Sequence, residues 1–92
     1  MDAIRSLLSV PGNRERMIAK APGVGADALI LDLEDSVPEE RKPEAREMTA
    51  SFLADGAGGT STYVRVNALD TGHLEADLDA VVGPGLAGIQ LP

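Results

Sequence analysis

Three carboxylates, Asp32, Glu34 and Asp35, arrive within four positions at the end of the apolar run "ALIL", Ala28 to Leu31. Gathering like charges costs energy, so a chain that does it needs a counter-charge close by. Arg65 can supply one from a second run, "STYVRVN", with Asn67 two residues later. Carboxylates, a guanidinium and an amide brought to one place can recognise a small polar ligand. The same groups can also form a structural ion pair, which desolvation makes a poor stabiliser when buried. A second candidate is "VPGNRER", Val10 to Arg16, where backbone N–H groups at a helix start, with Arg14 and Arg16, could cradle a phosphate. It lacks the glycine pattern of a dinucleotide loop or P-loop, so an ordinary turn with Asn13 as N-cap fits equally well.

Whether these residues meet depends on the elements that carry them. "IRSLLSV" reads as a strand stopped by Pro11-Gly12, and "NRERMIAKA" as a short helix ending near Pro22-Gly23. "ADALILDLE" is a second strand. Ser36 and Glu39 make an S-x-x-E capping box with Pro38 beside it, opening a helix whose apolar stripe is Ala45, Met48, Phe52 and Leu53. Its "PEERKPEAREM" charges read as a solvated face. The Gly56–Gly59 stretch is a turn. "STYVRVN" is the third strand, and Thr71 or Gly72 opens a third helix with Leu74, Leu78, Val81 and Val82 along one side. "LAGIQLP" supplies a fourth strand. The order βαβαβαβ implies parallel strands joined by helical crossovers. A doubly wound open sheet and the first half of a (β/α)8 barrel both fit, and a full barrel needs about 250 residues. Half a barrel would leave two open strand edges.

Strand parity sorts the side chains. Leu29, Leu31 and Leu33 share one face, as do Val64 and Val66, and Ile89 and Leu91. Asp32, Glu34, Arg65, Asn67 and Gln90 fall on the other, toward the C-terminal ends of the strands. Both architectures place ligand sites at that rim. His73, the single histidine, has no evident partner and is expected at the solvated surface.

Composition narrows the function classes. A net charge of -7 argues against nucleic acid. The absence of cysteine excludes disulfides and thiolate metal sites within these residues. No apolar run is long enough to span a membrane, and "MDAIRSLL" lacks signal-peptide features. A soluble, cytoplasmic protein is expected.

Four segments, "RSLLSVPGNRERM", "GADALILDLEDSVPEERKPEAR", "YVRVNALDT" and "DLDAVVGPGLAGIQLP", resemble in order and spacing the opening third of the citrate lyase beta-subunit family. The group includes 4-hydroxy-2-oxoheptanedioate aldolases and malyl-CoA and citramalyl-CoA lyases. The pairing of "LDLEDSVP" with "VRVN" is the specific part of the likeness. It implies that residues 1–92 are the N-terminal part of one TIM-barrel domain, truncated after the fourth strand. It also implies a Mg²⁺-dependent carbon–carbon lyase that splits or forms a short 3-hydroxyacyl-CoA, giving an oxo acid and acetyl-CoA. By resemblance Arg65 binds the oxo-acid carboxylate, for which a planar guanidinium is suited. Glu34 and Asp35 join it as catalytic residues. Asn67, Asn13 and Arg14 bind substrate, with Arg14 near CoA. Asp32 and Glu34 lie in the outer shell of the metal, whose direct ligands are expected beyond Pro92. Related aldolases carry histidine where this chain has Asp35, which favours acyl-CoA substrates over a class II aldolase acting on free oxo acids. Pro22 and Ser9 depart slightly from the pattern. A homo-oligomer is implied for the full-length form, with the 92-residue chain inactive alone. A non-catalytic half-barrel that docks on a partner is the rival reading.

Overall fold

The computed structural model describes residues 7–20, 23, 28–56 and 59–92. The expected strand residues Ile4 to Ser6, Ala26 and Asp27, and the helix stop at Pro22, lie outside them. The elements are β1 (Leu7–Pro11), α1 (Glu15–Lys20), β2 (Ala28–Asp32), α2 (Lys42–Ala54), β3 (Ser61–Arg65), α3 (Leu74–Val81) and β4 (Gly88–Gln90). Short 3-10 turns at Glu39–Arg41 and Leu69–Thr71 precede α2 and α3.

All strand pairs are parallel, and spatial order equals chain order, β1-β2-β3-β4. That order separates the two architectures. A doubly wound sheet reverses direction at a switch point, whereas a barrel keeps adding each strand on the same side. The four strands are therefore laid out as the first half of a (β/α)8 barrel. The helices cover one face. Val10, Leu29, Leu31, Val64 and Val66 point into a core completed by Ile18, Ala45, Leu53 and Val81 from the helices. A fully buried leucine contributes about 1.5–3 kcal/mol by leaving water, so this aliphatic layer holds the helices to the sheet, with Phe52 packed at its margin. The opposite face, with Ile30, Tyr63 and Arg65, is only half-buried.

Several local expectations give way to tertiary structure. The Ser36–Glu39 capping box does not form. Ser36 is drawn to the buried Asp32 carboxylate, and Pro38, the residue before the 3-10 turn, makes no side-chain cap. The α-helix proper starts six residues later, at Lys42, with Pro43 in its first turn, where a missing N–H costs nothing. Asn13 does not cap α1: its Oδ1 is buried and accepts no hydrogen bond among the described residues. The turn instead closes through the backbone, with Arg14 N–H donating to Pro11 O and Ile18 N–H to Arg14 O. Gly72, at φ 80°, does not open α3 but ends the turn before it, in a conformation that favours glycine. Val82 and Leu91, assigned above to apolar faces, are 66% and 69% exposed, because each lies just past the end of its element.

Gly12 is fixed by close approach. Its N–H donates to Asp32 O at 2.8 Å, and a Cβ there would lie 2.9 Å from that oxygen and from Leu33 Cδ2. The Pro-Gly turn thus presses directly against the end of β2, where the carboxylates are.

Candidate functional site at the C-terminal rim

The parallel register sets Pro11, Asp32, Arg65 and Gln90 in one row across the C-terminal end of the sheet. Adjacent positions in that row put Asp32 and Arg65 side by side, and they form a two-pronged pair. Arg65 Nε donates to Asp32 Oδ1 at 2.9 Å and Nη2 to Oδ2 at 2.7 Å. The pair is asymmetric in burial: the Asp32 side chain is 2% exposed and that of Arg65 31%.

Asp32 is saturated. Besides Arg65, its Oδ1 accepts from Glu34 N–H, and its Oδ2 accepts from the N–H and hydroxyl of Ser36. Burial pushes its carboxyl up, but the Arg65 guanidinium, the Ser36 hydroxyl and the Ser36 and Glu34 N–H groups outweigh that and hold it well below the usual carboxylate range. The hydrogen bond to Asp32 raises Arg65 in turn; burial opposes this, and the charges of Asp32, Glu34 and Asp35 add to the rise. Asp32, one of the three clustered carboxylates, is therefore the anchor of the β2–α2 turn.

Arg65 keeps an open side. A guanidinium has five N–H donors in a planar fork, and Asp32 takes one on Nε and one on Nη2. The outer Nη2–H and both Nη1–H face away from Asp32, and no described residue accepts from them. Glu34 approaches the same guanidinium more loosely, with Oε1 3.6 Å from Nε and its side chain 28% exposed. Asp35 is exposed. Gln90 sits in the row and is exposed, with no side-chain hydrogen bond among the described residues.

Asn67 goes elsewhere. Two residues past β3, it is free of strand parity, and its buried amide donates to Leu33 O at 2.9 Å and to Asp77 Oδ2 at 2.7 Å. Its own N–H also donates to Asp77. The structure thus groups Asp32, Glu34 and Arg65 and sets Asn67 beneath them. Asn13 and Arg14 line a separate polar cleft of about 360 Å³ with Ser36, Pro38, Arg41 and Glu44, on the β1–β2 side of the rim.

The charges of α2, expected to be a solvated face, are partly inward. Lys42 is 7% exposed and its Nζ donates to Leu33 O at 2.9 Å and Glu34 O at 3.0 Å. Arg46 Nε donates to the buried Asp77 at 2.8 Å, and Arg46 Nη2 donates to His73 Nδ1 at 2.7 Å. Because arginine only donates, His73 must accept at Nδ1, which leaves its proton on Nε2, 2.6 Å from Glu39 Oε1. His73 is therefore a bridge between α2 and its preceding turn, not a solvated residue. Sequence reading missed Lys42, Arg46 and Asp77 because their partners lie 8 to 31 positions away. A buried-facing phase of α2 was available as a signal, since Lys42, Ala45 and Thr49 share helical spacing with Leu53.

These residues do not make a complete metal site. Asp32 has no free oxygen, Glu34 and Asp35 are two carboxylates only, and no group of three His, Cys, Asp or Glu among the described residues is arranged to hold an ion.

The pattern of the HpcH/HpaI aldolase/citrate lyase family matches residues 5–92. The chain belongs to that family. Among curated relatives, it is 43% identical over 94 residues to the citrate lyase subunit beta-like protein of Deinococcus radiodurans, covering 97% of this chain and 33% of that one. It is 45% identical over 76 residues to the mitochondrial citramalyl-CoA lyase of Rattus norvegicus, covering 82% of this chain and 22% of the relative. The chain spans about a third or less of these family members. Protein CitE of Mycobacterium tuberculosis, solved in complex with magnesium, acetoacetate and coenzyme A, superposes with a TM-score of 0.76 at 38% identity, over 94% of this chain and 31% of that one. Family membership and the sequential parallel sheet agree on the same half-barrel layout.

Proposed function

We propose that this chain is the opening segment of a Mg²⁺-dependent lyase that makes or breaks a carbon–carbon bond in a short 3-hydroxyacyl-CoA. Citramalyl-CoA, malyl-CoA and citryl-CoA are the substrate types, with an oxo acid and acetyl-CoA on the other side of the reaction. The observation that carries the reading is Arg65. Its inner edge is locked by Asp32, and its outer N–H groups stand open at the rim of a barrel-type sheet. A guanidinium fixed on one side and free on the other is preorganised to take a carboxylate in two-pronged fashion, with little ordering cost on binding. The saturated Asp32 keeps it charged and correctly turned. Glu34 and Asp35 add negative charge on the side where a cation would be favoured.

The relatives' ligands support the cofactor: Mg²⁺ accompanies an oxo acid and coenzyme A in the M. tuberculosis protein. In the longer protein its direct ligands would be carboxylates beyond the position of Pro92, with Glu34 and, behind it, Asp32 outside the ion's own ligand shell. The cleft lined by Asn13 and Arg14 is where the coenzyme would approach. The cytoplasmic location and homo-oligomeric state belong to the same reading; among the described residues no helix is long and apolar enough to cross a membrane.

The test is Arg65→Ala in the full-length protein carrying this chain, with Arg65→Lys beside it. Lysine keeps the charge and loses the fork. Turnover of citramalyl-CoA or malyl-CoA is expected to fall about 100-fold or more with alanine, as for loss of one key charge-stabilising donor. Unchanged turnover would overturn the assignment. Cleavage of a free oxo acid but of no thioester would favour the class II aldolase. The absence of either activity in the wild type would favour a non-catalytic half-barrel.

A further inference from the structure

The segment that follows β2 carries Glu34 and Asp35 outside any regular element, yet its backbone is staked from four directions. Glu34 N–H donates to Asp32 Oδ1 at 2.9 Å. Leu33 N–H donates to Arg65 O at 2.9 Å, continuing the ladder to β3. Leu33 O accepts from Asn67 Nδ2, which Asp77 of α3 holds in place. Lys42, the first residue of α2, donates to both Leu33 O and Glu34 O. These stakes are not equivalent. Leu33 O would keep Asn67 if the lysine were removed, whereas Glu34 O would keep only a long 3.3 Å turn bond from Val37 N–H. A buried ammonium is costly to desolvate and is retained where its hydrogen bonds have a use. Here it binds no described carboxylate, though it reaches the backbone of Glu34 itself; both of its described bonds go to backbone oxygens.

We propose that Lys42 is a positioning residue that fixes the Glu34 backbone, and through it the Glu34 carboxylate, against the Arg65 guanidinium. It acts on Glu34 and not on Arg65, because Arg65 is oriented independently by Asp32. The inference rests on the lyase reading for its catalytic consequence, but its structural claim stands apart from that reading. Removing the Nζ while keeping the apolar stem frees the Glu34 carbonyl side of the residue, which is then tethered only by its N–H to Asp32 Oδ1 and the long Val37 bond, and leaves the Asp32–Arg65 pair intact.

The experiment pairs Lys42→Met with Glu34→Gln and the double variant, in the full-length protein. Loss of a second-tier partner typically lowers activity 10–100-fold, so kcat is expected to fall by that factor in Lys42→Met, while KM for the oxo acid, which reports on Arg65, stays near wild type. The double variant is expected to be no worse than Glu34→Gln alone, since Lys42 acts through Glu34. Multiplying losses, or a rise in KM equal to the fall in kcat, would overturn the proposal. A crystal structure of Lys42→Met, or of Lys42→Gln should the first fold poorly, supplies a readout independent of turnover. Glu34 displaced from Arg65 with Asp32–Arg65 unchanged supports the proposal, and Glu34 in its original place overturns it. A wild type without lyase activity would overturn the functional reading while leaving this structural outcome decisive.

Discussion

Asp32 and Glu34, two positions apart, face the same guanidinium and have opposite fates. Asp32 lies in the strand, within reach of Ser36 and the Glu34 N–H, and becomes fully hydrogen-bonded; Glu34 lies past the strand end and stays half-open. A buried carboxylate whose folded-state pKa is depressed stabilises the fold above its unfolded pKa and loses that contribution as pH falls toward the folded value. Stability is therefore expected to decline on acidification through and below the ordinary carboxylate range. Asp32→Asn should lower unfolding stability at pH 7 by about 3 kcal/mol, the low end for a broken buried pair because Arg65 is partly exposed. It should also flatten the acid limb, since asparagine has no proton to take up. Urea denaturation of both proteins at neutral and acid pH checks this, and parallel pH profiles would show that another carboxylate carries the dependence.

The element that sets this residue chemistry is the junction of the β1 turn with the end of β2. Gly12 fits there because nothing larger does: a methyl group would press on Asp32 O, Leu33 Cδ2 and Thr49 Oγ1 together. Gly12→Ala is expected to cost about 1–3 kcal/mol through overpacking and to weaken oxo-acid binding, because the push is transmitted to the residue that orients Arg65. Thermal unfolding together with a substrate titration tests both parts; a destabilised variant with unaltered KM would place the effect in the core alone. The same junction marks where sequence reading succeeds and fails. The apolar run "ALIL" and the β-branched "STYVRV" located β2 and β3, and the register then put Asp32 beside Arg65 as parity implied. The Ser36 capping box failed because a buried carboxylate outcompeted the helix start for that hydroxyl. Asn67 and His73 failed because parity ends with the strand and their partners come from helices distant in sequence. Local pattern reaches as far as the strands and the pairs their parity aligns; the polar links between sheet and helices require the packed structure.

Across the whole molecule the sheet has β1 and β4 as its outer strands, each with one hydrogen-bonding edge that no described strand covers. Its rim offers an oriented arginine and two loosely held acids but no described trio that could hold a cation. A divalent ion needs several oxygen ligands, and Mg²⁺ in particular takes one or two protein carboxylates in octahedral geometry with waters or substrate completing the set. Glu34 and Asp35 are consecutive residues of one segment, and Glu34 lies 3.6 Å from Arg65 Nε, whose positive charge opposes a cation placed beside it. The 92-residue chain is therefore expected to bind Mg²⁺ weakly, at millimolar levels or above, and to turn over no acyl-CoA. The full-length protein is expected to bind the ion far more tightly in the presence of an oxo acid. Calorimetric titration of the two forms, with and without pyruvate, distinguishes the outcomes. Tight binding by the short chain would mean that the rim described here already contains the metal site, and that the second half of a barrel is not needed to build it.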